Sequence, residues 1–330
     1  MNTIRTLVTS SLLMASFVLA QGALRYPDPA PERLVNSAVV ATFPTGIFME
    51  GIAVDRQGTL YATILGLGRA PDQLWTRTRT GVVNTINLSA QNLAVDPSGR
   101  VWASVSSGNP QDPQTLQFHL ERLNADGTRT MGATFRKGAS PNGITFDPAG
   151  NLYAADSALG ILWRVKPGGV DPEVWLQDAR FAPKGPQGIP GVNGIKVFER
   201  AVYTPNSSSG EFFRVSINAD GGAGAVSLRA TGVPGDSFAF DAAGNAFVTT
   251  HVFNTVVRVD TQGNKTVLGN VKNGIVGATD AAFGVGADRT GLYVVQDGGA
   301  FLDLVPPAFA KAFPQDRAAP AIVRLEVGNP

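Results

Sequence analysis

PNGITFDPAGNLYAAD, residues Pro141 to Asp156, alternates apolar and polar positions, turns at a D-P-x-G signal and alternates again. That pattern is a β-hairpin. Its Asn142-Gly143 pair is of a kind usually found inside a hairpin turn, yet here it stands in front of the first strand. The phrase recurs: EGIAVDRQGTLYAT from Glu50, QNLAVDPSGRVWAS from Gln91, NGITFDPAGNLYAA from Asn142, NGIKVFERAVYTP from Asn193, DSFAFDAAGNAFVT from Asp236 and TDAAFGVGADRTGLYVV from Thr279. Successive starts lie 41, 51, 51, 43 and 43 residues apart. Each hairpin is followed by a third strand with its own echo, LWRV at Leu162, FFRV at Phe212, VVRV at Val256 and IVRL at Ile322, and often by a fourth, as in DTQGNKTVLGNV. Units of about 40 to 50 residues with four strands each are propeller blades. The chain is therefore expected to be all-β, a six-bladed β-propeller of four-stranded antiparallel blades. Strands near Asn36 to Thr42 and Ala321 to Val327 are placed to pair and close the ring, which removes the exposed edges of an open sheet.

The N-terminus has a separate character. MNTIRTLVTSSLLMASFVLA sets one basic residue, Arg5, before a short apolar run and ends on the small-residue pattern Val18-Leu19-Ala20. This reads as a secretory signal, and the run is too short and too interrupted by hydroxyl residues for a membrane span. The expected organisation is a signal peptide over residues 1–20, a linker over 21–34 and one propeller domain over 35–330, in a secreted or periplasmic protein. The chain has no cysteine, which excludes disulfides, thiolate metal sites and a Cys nucleophile. With 27 basic and 26 acidic residues and no long like-charge block, it lacks the electrostatic signature of a nucleic-acid partner. A small molecule is the expected partner.

Several recurring columns read as scaffold. Asp55, Asp96, Asp147 and Asp241 each begin a tight turn, where the carboxylate bonds its own backbone. Tyr61, Trp102, Tyr153, Tyr203, Phe247 and Tyr293 hold one position in all six hairpins, as packing between blades requires. Arg164, Arg214, Arg258 and Arg324 recur in the third strand, where long stems cover apolar surface. His119 and His251 fall in different repeats without ligand spacing and are expected to be ordinary surface or satisfied side chains. The serines Ser207 to Ser209 lack a nucleophile-elbow context.

The column that varies is position one of the phrase: Glu50, Gln91, Asn142, Asn193, Asp236 and Thr279. Equivalent positions at the head of the innermost strand converge around a propeller's central channel, and all six carry a side-chain oxygen. The carboxylates Glu50 and Asp236 with the amides Asn142 and Asn193 in such a ring suit one hard divalent cation, calcium best of all. The alternative for this column is solvation of the channel mouth.

At these residues the sequence resembles the senescence marker protein/gluconolactonase (regucalcin-like) family, six-bladed propellers that bind one divalent metal and hydrolyse lactones. The resemblance rests on Glu50-Gly51 opening the first blade, Asn142 before the D-P-x-G hairpin of the third, Asn193-Gly194 opening the fourth and Asp236 opening the fifth. It implies that Glu50, Asn142, Asn193 and Asp236 hold the metal and that Asp236 doubles as general base. The chain departs from the family's pattern at Ile52-Ala53, Gly143, Ser140 and Gly235-Asp236-Ser237, positions that bear on sugar-lactone recognition. The substrate mouth is expected to include Gln91, Asp156, Asn206, Thr250, Thr279 and Gln296. Its lid is expected from the insertions Ser104 to Phe118, Gln177 to Val192 and Gln296 to Pro320, the last carrying the apolar FLDLVPPAFAKAF. The rival reading is a non-catalytic secreted propeller of the NHL-like kind that binds a protein, glycan or small molecule.

Overall fold

The computed structural model describes residues 24–108, 115–124, 126–185 and 188–328; the expected signal peptide lies outside them. Six four-stranded antiparallel sheets form a ring, each a blade. The innermost strands are Phe48–Val54, Ala90–Val95, Pro141–Phe146, Lys196–Phe198, Phe238–Phe240 and Ala278–Phe283. Each touches the innermost strand of the next blade, and Phe48–Val54 touches Ala278–Phe283 to complete the circle. The last blade is composite: Ser37–Thr42 pairs antiparallel with Ala321–Glu326, running from Ser37 opposite Leu325 to Thr42 opposite Ala321. Among the described residues helix is confined to single turns such as Ala300–Asp303 and Pro307–Ala310. Among the described residues, none is a helix long and apolar enough to cross a membrane.

The repeated columns take structural roles that follow from their chemistry. Asp96 Oδ1 accepts the backbone N–H groups of Ser98 and Arg100, and its Oδ2 accepts Trp102 Nε1 at 3.0 Å. Asp55 and Tyr61 repeat the arrangement in the first blade, and Asp147 and Tyr153 in the third. The hairpin aromatics also reach the next blade's inner strand. Trp102 meets Phe146, Tyr203 meets Phe240 and Phe247 meets Phe283, with ring centroids 5.9, 4.8 and 5.2 Å apart. These tilted and edge-on contacts are the favoured geometries for aromatic pairs. The third-strand arginines ion-pair or hydrogen-bond on the outside of the sheet, Arg164 with Glu173 and Arg324 with Asp288.

The Asn-Gly pair at a strand entrance is explained by the inner ring. A Cβ on Gly143 would stand 2.8 Å from Gly194 Cα, and one on Gly194 would stand 2.6 Å from Ser237 Cα. Backbones of neighbouring blades approach there more closely than any side chain permits, so the residue after the site position must be glycine in these blades. The gap carries hydrogen bonds: Gly143 N–H donates to Asn193 O, and Gly194 N–H to Asp236 O. Hydroxyls continue the circuit, Thr63 donating to Gln91 O, Ser104 to Pro141 O and Thr279 to Met49 O across the junction of last blade and first.

Candidate functional site

Local irregularity aims the site side chains. The pairing register slips between Met49 and Ile52, Ala90 and Asn92, Pro141 and Ile144, and Ala278 and Asp280. Each slip brackets the first residue of the repeated phrase, and a bulge of this kind redirects a side chain. Asn193 and Asp236 instead precede the short strands Lys196–Phe198 and Phe238–Phe240. Glu50, Asn142, Asn193 and Asp236 thereby line one cavity, together with Ser207, Thr250 and His251.

Asn193 and Asp236 are buried, Glu50 and Asn142 half-buried. Asn193 Nδ2 donates to Asp236 Oδ1 at 2.7 Å and to Ser207 Oγ at 3.1 Å. Asn193 Oδ1 is buried and has no hydrogen-bond partner. An amide carbonyl oxygen held without a donor is costly, and it is the atom a hard cation would take. Among the described residues no group of three or more His, Cys, Asp and Glu side chains forms a metal cluster. The donor set here is two carboxylates and two amides, oxygen ligands of the sort calcium accepts. On the orphaned oxygen and on donor chemistry, these residues fit such an ion.

The charges around them tell the same way. Burial, then the nearby Asp236 carboxylate, drives the Glu50 carboxyl well above its ordinary range. Burial likewise raises Asp236, where His251 opposes the shift and Asp280 and Asp297 reinforce it. Asp280 is fully buried, accepts the Ile52 and Ala281 N–H groups, and lies 3.9 Å from Lys196 Nζ. Carboxylates outnumber cationic groups at this end of the channel, a surplus that a divalent cation would relieve.

His251 belongs to the site, contrary to the expectation of an ordinary side chain. Its Nδ1 lies 3.2 Å from Asp236 Oδ2 and its Nε2 3.2 Å from Asp297 Oδ2. Burial disfavours the charged imidazole, but Asp297, Asp236 and Glu50 outweigh it and push His251 up to about 9. The residue also sits at φ 43°, in the left-handed region that non-glycine residues rarely occupy, a kind of strain concentrated at functional sites. The ring is gripped edge-on by Phe48 and Phe301, with centroids 5.6 and 5.2 Å away.

Of the expected mouth residues, Thr250 lines the cavity. The others have different work. Asp156 accepts Ala158 N–H, Leu159 N–H and Trp163 Nε1, and burial raises its carboxyl. Asn206 holds the Ser207 to Ser209 turn and bonds the carbonyls of Arg180 and Ala182. Gln296 Oε1 accepts Val276 N–H, Thr279 spans to Met49, and Gln91 is buried at the second blade's inner strand, outside the cavity lining. Two of the expected lid segments do contribute, Ile189 from one and Phe301 and Phe313 from the other. From Ser104 to Phe118, no described residue lines the cavity. The segment expected as a linker packs against the body from Leu24 onward. Leu24 lines the cavity, Tyr26 OH donates to Ala312 O, and Glu32 bridges Val267.

The missed residues had a signal one position further along. Ser207 and His251 line the cavity one residue beyond Asn206 and Thr250, just past the ends of the second strands Ala201–Asn206 and Ala246–Thr249, and Asp297, the partner of His251, follows Gln296 in the same way. Neighbouring residues of an extended segment point to opposite faces, so Asn206 bonds the backbone of its own turn while Ser207 beside it faces the cavity.

No protein-family model matches the sequence, and no curated protein matches it. Solved structures do share the fold. A gluconolactonase from Xanthomonas campestris superposes with a TM-score of 0.61 at 15% identity, over 94% of this chain and 99% of that one. A calcium-binding regucalcin from Agrobacterium tumefaciens gives 0.63 at 19% identity, over 90% and 95%. Virginiamycin B lyase from Staphylococcus aureus gives 0.58 at 12% identity, over 88% and 99%. The fold is thus shared with gluconolactonase-like and regucalcin-like six-bladed propellers and, over most of the chain, with a lyase.

Proposed function

We propose that this chain is an exported, metal-dependent hydrolase that opens a lactone or related ester. The carrying observation is the convergence of Glu50, Asn142, Asn193 and Asp236 on one cavity, with Asn193 Oδ1 left without a partner. These four residues would hold one divalent cation, calcium by their oxygen donors. When bound, the cation supplies Lewis-acid polarisation of the substrate carbonyl.

The chain's own groups handle the proton. Asn193 Nδ2 holds Asp236 through Oδ1, leaving Oδ2 toward His251. As Asp236 takes a proton from water, the water oxygen bonds to the carbonyl carbon. The ring C–O bond then breaks, and the departing alkoxide regains a proton from the Asp236 carboxyl, giving a hydroxy acid. His251, braced by Asp297, orients the carboxylate and stabilises negative charge beside it. The similarity to gluconolactonase and regucalcin folds supports a small-molecule substrate. Export rests on the first 20 residues, and N-terminal sequencing of exported protein should begin at or near Gln21; an intact Met1 overturns it.

The test is a panel of lactones and aryl esters on metal-stripped and calcium-reloaded protein. Turnover restored by reloading supports the hydrolase. No turnover across the panel with metal bound refutes it and leaves the binding propeller.

A further inference from the structure

We infer that the substrate of this site carries an apolar tail, an alkyl or aryl group attached to the reacting lactone or ester, and not a polyhydroxylated ring. The reacting group rests on the proposed hydrolysis; the apolar tail does not.

Two observations carry it. The first is the division of the cavity wall. Its polar members come from the heads of inner strands and the ends of second strands, whereas loops and insertions contribute Ile189, Val252, Phe253, Phe301 and Phe313. These rings are preassembled: Phe253 and Phe301 stand 5.9 and 6.2 Å from Phe313, and the buried Phe301 packs on His251 at 5.2 Å. The Tyr26 hydroxyl, bonded to Ala312 O at 2.6 Å, ties the N-terminal segment to the same insertion.

The second observation is how little donor capacity faces the cavity. No Lys or Arg side chain lines it among the described residues. Ser207 Oγ donates to Gly235 O, and Thr250 Oγ1 is engaged with Thr255. Asn193 Nδ2 is shared between Asp236 and Ser207, and both ring nitrogens of His251 face carboxylates. A sugar lactone brings several hydroxyl groups, each needing partners once desolvated. Against phenylalanine rings those hydroxyls would go unpaired, and each one so desolvated costs binding energy. An alkyl or aryl tail loses nothing there and gains the burial of each methylene.

The experiment uses the calcium-loaded full mature chain with δ-lactones bearing unbranched tails of increasing length, with glucono-δ-lactone beside them. In parallel, calorimetry measures binding of the matching straight-chain carboxylates, which need no turnover. The expected result is kcat/KM rising about two- to fourfold per methylene until the wall is filled, carboxylate affinity rising in step, and glucono-δ-lactone the poorest substrate. Phe253→Ala, which removes a half-buried ring, should lower kcat/KM for the longest lactone by about tenfold. A series flat in tail length, or preference for glucono-δ-lactone, overturns the inference while the hydrolase stands. Carboxylate binding that strengthens with length, without any lactone opened, sustains the inference while the hydrolase falls. A folded Phe253→Ala variant with unchanged kinetics removes that ring from the tail site.

Discussion

The two ends of the same hairpins obey opposite rules. At one end, Asp55, Asp96 and Asp147 repeat one solution, a carboxylate that closes its turn and takes the polar edge of a neighbouring Tyr or Trp. At the other, Glu50, Asn142, Asn193 and Asp236 differ in kind and crowd into one cavity. Repetition marks groups that satisfy one another within a blade. Variation marks groups left unsatisfied by their own blade, Asn193 Oδ1 most plainly, and made useful only by the other five. Carboxylates at the turn end are fixed by local donors; those at the mouth are pushed up by burial and by neighbouring carboxylates.

The contrast is broken most directly at Asp236. Asp236→Asn keeps an oxygen for the cation but cannot accept a proton, so turnover at saturating metal should fall by roughly 10²- to 10⁴-fold. Metal binding, followed by calorimetry, should weaken yet persist. Near-full turnover in the saturated variant would make Asp236 a ligand alone.

The sequence made the ring legible because its hairpins repeat, and it made the four converging residues legible because one column refuses to repeat. His251 was not legible in the same way. A histidine occurring once, after Thr249-Thr250, gives no periodic signal, and its partners Asp236 and Asp297 are remote in the chain. The role of Gly143 and Gly194 was also hidden, since close approach between blades is a property of the ring and not of any one repeat. Asp280 escaped notice because Thr279 before it filled the expected position.

Cation binding sharpens the comparison next. Calcium at about 100 times its Kd should stabilise the chain by about 2.7 kcal/mol through linkage, read as a shift in urea midpoint against chelator. Equal midpoints, with no metal by elemental analysis, would return the varied column to channel solvation.

Turn carboxylates should do the reverse, changing stability without touching the mouth. Asp96→Ala strands the Ser98, Arg100 and Trp102 donors, and denaturant titration should show a loss of about 2 kcal/mol with calcium affinity retained. Lost calcium affinity in a folded variant would deny that the two ends are independent.

The smallest effect is read only at alkaline pH. Burial, with help from their aspartate neighbours, pushes Tyr61, Tyr153 and Tyr293 up to about 12. Their folded forms favour the neutral phenol, so this contribution is fully present below the ordinary tyrosine value of 10.0 and is lost as pH rises through about 12. Phenolate absorbance and circular dichroism should therefore change together on alkaline titration. Phenolate appearing near pH 10 with the fold intact would show these hydroxyls to be free.

The pairing of Ser37–Thr42 with Ala321–Glu326 has a temporal meaning. Its first partner is made before all six blades' worth of hairpins and must wait for the second, which follows them. Contacts so distant in sequence are slow to form, and until they do the unfinished blade offers a bare edge to any passing strand. Thr279 reaches Met49 only across that last junction, so Glu50 takes its place when the circle shuts. A polypeptide stalled or clipped before Ala321 is in effect proofread by geometry: it can make hairpins, but it cannot gather the mouth.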